Sequence, residues 1–76
     1  MPVLYEVWDT CSGDLAGTFA TEEAALGVVR DAVARYNATY AEYFLLVEAD
    51  DAQGSRRVAE GKALVILALA TGDRGP

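Results

Sequence analysis

The chain of 76 residues contains no histidine and a single cysteine, Cys11. Without histidine it lacks the commonest general base and the commonest metal ligand. A lone cysteine cannot close an internal disulfide, and no Cys/His cluster of metal-binding spacing is present. The neighbours of Cys11 are Thr10, Ser12 and Asp14, which supply neither a base nor a positive field to form thiolate, so it reads as a small turn residue. Basic residues are scarce, six against twelve acidic ones, for a net charge of −6. That balance opposes non-specific binding to nucleic acid, whose affinity comes mainly from neutralised phosphates, and opposes docking on an anionic membrane. It favours encounter with a basic protein partner. Long apolar runs are missing too: the stretch 63–70 has eight residues, against the roughly 20 a membrane helix requires. The first residues carry no basic segment followed by an apolar stretch, so no secretory signal is expected and a reducing cytoplasm is the expected location.

What is present suits a small globule. Apolar residues make up 53% of the chain, enough to exclude intrinsic disorder. One α+β domain over residues 1–72 is expected, with 73–76 as a flexible tail. Residues 3–10 read as a strand rich in β-branched and aromatic types, and 15–20 as a second strand. Between them, Cys11-Ser12-Gly13-Asp14 makes a turn in which Asp14 is expected to bond the local backbone. Thr21 is a good helix N-cap, followed by Glu22 and Glu23 at the positive end of the helix dipole. Over 22–36, Ala25, Leu26, Val28, Val29, Ala32, Val33 and Tyr36 share one arc at the 3.6-residue period, which predicts an amphipathic helix. Asn37 suits a left-handed residue ending that helix, and Thr39 with Glu42 suits the cap of a further turn. Residues 43–48 form a third strand with apolar groups on both faces, and 56–59 a fourth. Glu60-Gly61-Lys62 opens a last helix that Thr71-Gly72 closes. The order ββαββα predicts a two-layer fold, a four-stranded antiparallel sheet with two helices on one face. A faint repeat (Phe19-Ala20 then Ala24-Ala25-Leu26, against Val58-Ala59 then Ala63-Leu64-Val65) raises the question of duplication.

The last helix carries the strongest signal. At about 100° per residue, Ala63, Leu64, Leu67 and Ala68 fall on one side and Val65, Ile66, Leu69 and Ala70 on the other. A helix apolar all round must be covered all round, and a chain this short has one layer to offer. A homo-oligomer, most simply a two-fold dimer, is therefore expected. Val65, Ile66 and Leu69 would form its centre, with Trp8, Tyr40 and Tyr43 as aromatic anchors.

Other candidates read as ordinary structure. Glu48, Asp50, Asp51 and Glu60 form the densest acidic group, able in principle to hold a hard cation, but the spacing of a calcium loop is absent and solvated turn residues suffice. Arg56 and Arg57 are adjacent and point to opposite faces of a strand, so they make no stripe for RNA. Tyr5, Trp8, Tyr40 and Tyr43 lack the interleaved cations of a base-stacking surface. Neither GxxxxGK[ST] nor GxGxxG occurs. No residue is assigned to catalysis, to a cofactor or to a metal.

The segments Tyr5-Glu6-Val7-Trp8-Asp9-Thr10, Ser12-Gly13, Gly17-Thr18-Phe19, Thr21-Glu22-Glu23-Ala24 and Ala59-Glu60-Gly61 resemble small bacterial proteins built as hairpin, helix, hairpin, helix. The resemblance implies the same fold and brings no active residues. The hairpin followed by Thr21-Glu22-Glu23-Ala24 is also similar to HicB-type antitoxins, which implies inhibition of a small basic RNase. The chain departs from that family in lacking its proline- and glycine-containing strand segment and an added DNA-binding domain. The reading that follows is a non-enzymatic protein–protein interaction domain that self-associates. The alternatives are an acidic inhibitor using Glu48, Asp50, Asp51 and Glu60, and a metal-dependent enzyme using the same carboxylates.

Overall fold

A computed structural model describes residues 3–50, 52 and 54–72; Asp51 and the tail assigned to 73–76 lie outside them. The elements are β1 (Val3–Asp9), β2 (Asp14–Phe19), α1 (Glu22–Arg35), α2 (Ala38–Ala41), β3 (Phe44–Asp50), β4 (Gly54–Glu60) and α3 (Gly61–Gly72). The architecture is α+β, with a four-stranded antiparallel sheet ordered β2-β1-β3-β4. The four-residue α2 is a third helix beside the two expected.

Local chemistry explains the boundaries, with two corrections. The first turn is organised from Asp9, not Asp14. Asp9 Oδ1 accepts from the N–H groups of Cys11 at 2.8 Å and Ser12 at 3.3 Å, while Gly13 N–H reaches the Asp9 carbonyl at 2.7 Å. Asp14 is already the first residue of β2. Thr21 caps α1 as expected, its Oγ1 accepting from Ala24 N–H at 3.1 Å. Asn37 is not left-handed. It is extended (φ −174°), and its Oδ1 accepts from Tyr40 N–H at 2.7 Å, so it rather than Thr39 caps α2. An extended residue between two helical segments re-aims the chain, and its amide is the right length to satisfy a first-turn donor. The step from β4 into α3 passes directly through Gly61 at φ 64°, a backbone conformation a side chain would strain.

The two hairpins are arranged alike. β1 and β3 pair in the middle, Val7 opposite Leu46, and each has its own hairpin partner on the outside. A bulge falls at matching places: Val7 pairs with Gly17 and Trp8 with Leu15, leaving Ala16 extra. Likewise Leu46 pairs with Ala59 and Val47 with Arg57, leaving Val58 extra. The shared order and bulges give the two ββα halves an approximate internal symmetry.

Helices α1 and α3 lie side by side on one face of the sheet, α1 against β1 and β2, α3 against β3 and β4. Between the layers lies one cluster: Val7, Phe44 and Leu46 from the strands, Ala25, Leu26, Val29 and Ala32 from α1, Ala41 from α2, and Leu64, Val65 and Ala68 from α3. Val65 is thus corrected. At 5% exposure it belongs to the subunit's own core, whereas Ala63 is exposed. Helix α3 sits in the angle between the sheet and α1, so it is covered from two directions and buries a wider arc than the sequence split allowed. The result is a slab 35 × 34 × 17 Å across its Cα atoms, thin because among the described residues one sheet face has no layer over it.

Candidate functional site

Strand alternation decides what the bare sheet face carries. Val7, Phe44 and Leu46 point into the core, so Leu4, Glu6 and Trp8 of β1 and Leu45, Val47 and Ala49 of β3 point the other way. Cross-strand pairing adds Leu15 beside Trp8, Thr18 beside Glu6, Arg57 beside Val47 and Glu60 beside Leu45. Leu4 and Leu15 remain 43% and 45% exposed, and Trp8, Leu45 and Val47 are half-buried against one another. Four of its polar side chains pair within it. Trp8 Nε1 donates to Glu6 Oε1 at 3.0 Å, laying the indole along β1, and Arg57 pairs with Glu60 at 2.7 Å. The face is broad, apolar at its centre and nearly neutral.

The residues singled out as an interface do not form one surface. Trp8 stands on the bare face, on the opposite side of the sheet from α3. Ile66 at 62% exposure and Leu69 at 42% form a short ridge on α3. Tyr40 and Tyr43 are exposed near α2. Tyr40 packs between Tyr36 (centroids 4.7 Å apart) and Phe44 (5.8 Å, edge-on).

Of the described acidic candidates, Glu60 stands apart from Glu48 and Asp50. Glu48 lies between two partners, accepting from Tyr5 Oη at 3.1 Å and pairing with Arg56 at 2.8 Å. Asp50 Oδ1 accepts from Ala52 N–H at 2.8 Å in the second hairpin turn. Glu60 is at the far end of β4, paired with Arg57. The hydrogen bond to the Glu48 carboxylate raises the Tyr5 pKa, because only the protonated phenol donates; partial burial and the Glu48 charge add to the effect. Among the described residues no three His, Cys, Asp or Glu side chains gather to hold a metal, no cavity is enclosed, and no helix is long and apolar enough to cross a membrane.

Arg30 lies outside the apolar arc of α1, so helical periodicity gives it no role. Its guanidinium crosses to the last turn of α3, donating to Ala68 O at 3.2 Å and Thr71 Oγ1 at 3.0 Å, and it pairs with Glu23 at 2.6 Å. A long side chain on the margin of an apolar arc can reach a neighbour that sequence spacing does not reveal. No family model, curated protein or solved structure matches this chain.

Proposed function

We propose that this chain is a protein-contact domain of the cytoplasm, without enzymatic activity of its own, whose first partner is a second copy of itself. The observation that carries the reading is the quantity of large apolar side chain left outside the core. Leu4, Leu15, Ile66 and Leu69 are exposed, and among the described residues nothing covers the sheet face bearing Trp8, Leu45 and Val47. Each fully buried Leu, Ile or Val side chain gains about 1.5–3 kcal/mol over leaving it in water. A set of this size therefore offers several kcal/mol per subunit toward the cost of association. The ordering of charge supports the same reading. Glu48, Glu60 and Glu23 are taken up by Arg56, Arg57 and Arg30, which leaves no concentrated acidic patch among them to seek a basic protein.

Size-exclusion chromatography with light scattering, run over a range of micromolar loadings, tests the reading. The expected result is a mass approaching twice the 8.1 kDa of one chain as loading rises. A mass of one chain at every loading would remove self-association.

A further inference from the structure

Three surfaces compete for the contact: the α3 ridge, the tyrosines around α2, and the bare sheet face. Area and charge separate them. A stable interface takes about 800 Å² from each partner. The exposed apolar residues of α3, Ala63, Ile66, Leu69 and Ala70, run along about two turns of one helix, and a strip only about 10 Å long falls well short. Around the four-residue α2, Tyr40 already packs on Tyr36 and Phe44, and Tyr43 stands outside that stack, so the exposed rings make no broad continuous face. The sheet side is the broad face of a slab 35 by 34 Å, wide enough to meet the requirement. The chain carries −6 overall, yet Glu6, Arg57 and Glu60 are the only ionisable groups that strand pairing puts on this face among the described residues. Two of these neutralise each other, so two copies stacked here bring little like charge together. Alternation sends Asp9, Glu48 and Asp50 to the helix side.

We infer that two copies stack through their bare sheet faces about a two-fold axis, giving four layers in the order helix, sheet, sheet, helix, with Trp8, Leu4, Leu15, Leu45 and Val47 as the buried centre. This rests on the self-association reading and assigns its surface. Sheets packed in this way lie about 10 Å apart with their side chains interdigitated. Self-complementarity is built in, because every apolar group offered is offered by both partners. The indole is already tied down by Glu6, so little rotamer freedom is lost when a partner covers it.

Trp8 is the single tryptophan of the chain and sits on the surface in question, so wild-type protein carries its own reporter. On concentration through the self-association range, its emission should shift to the blue and its quenching by acrylamide should fall several-fold, in step with the rise in mass. The double variant Leu4→Lys/Leu15→Lys changes two side chains already exposed in one copy, so it should fold while raising the dimer dissociation constant about a hundredfold, since desolvating lysines is costly. Ile66→Asp should leave the dimer intact. A rise in mass with Trp8 emission and quenching unchanged would overturn the sheet-face assignment and leave self-association standing. So would dimers of undiminished affinity in the double variant, or their loss in a folded Ile66→Asp. Wild-type protein that stays monomeric throughout would overturn both. Should the double variant fail to fold, the Trp8 readout on wild-type protein decides alone.

Discussion

Replacing Arg30 by methionine tests how the two helices are held together. The side chain keeps most of its apolar stem in that change and loses only the guanidinium. Helix α3 has no basic residue in its own last turn, so the negative end of its dipole is answered from α1 by Arg30. Thr71 completes the arrangement, its hydroxyl donating to Ala68 O at 2.9 Å while accepting from Arg30. Hydrogen bonds from charged groups contribute about 1.5–3 kcal/mol when well shielded. The Arg30 side chain is 27% exposed, which places the pair of bonds to α3 at the low end of that range. The ion pair to the more exposed Glu23 adds at most about 1 kcal/mol, as surface pairs do. The sum is about 2 kcal/mol, equivalent to about 10 °C in melting temperature for a domain of this length. Urea titration at fixed protein concentration should show a lower midpoint with an unchanged slope, since association itself stabilises. Glu23→Gln should cost less than half as much. Thr71→Val should couple to Arg30→Met by at least about 0.5 kcal/mol in a double-mutant cycle. An Arg30→Met variant within about 0.5 kcal/mol of wild type, the range of an ordinary surface change, would refute the clamp.

Tyr5→Phe removes a phenol whose pKa Glu48 raises. The protonated hydroxyl is the form that bonds, so its contribution is complete below the ordinary value of about 10 and disappears as pH climbs through the raised one. Melting curves of wild type and Tyr5→Phe, separated at neutral pH, should converge in strong alkali; a constant separation would contradict the bond. Leu46→Ala empties a fully buried position in the central strand and should cost about 3 kcal/mol in urea titration, within the range for large-to-small core changes. Thr21→Ala should cost about 1 kcal/mol by the same measurement, since Ala24 N–H loses its acceptor.

The strands and both long helices were legible because each depends on local signals: the β-branched stretch 3–10, the Thr21 cap, and the apolar arc of α1. The sheet order was not, since nothing in the pattern says that β1 pairs with β3. The helix face misjudged in α3 has the same origin. A helix of uniform apolarity gives periodicity nothing to work on, so neighbours decide its orientation, and Val65 faces the core while Ala63 faces water. Asn37 went astray because the same amide suits a left-handed end or an N-cap, and the start of a second helix one residue later selects between them. For the candidate surface, Leu4 and Trp8 flank Glu6 opposite Val3, Tyr5 and Val7, so β1 carries apolar groups on both faces. Which face would go uncovered followed only from the helices landing together on one side.

Solution X-ray scattering at micromolar concentration tests the self-association account most directly, because forward scattering gives mass and the low-angle slope gives size. One copy has a Cα radius of gyration of 11.9 Å. Two slabs stacked with their sheets about 10 Å apart give about 15 Å, and the same slabs set edge to edge give about 21 Å. The expected result is twice the 8.1 kDa chain mass together with the smaller of those two dimer radii. A mass of one chain with a radius close to that of a single copy, at every concentration reached, would contradict it.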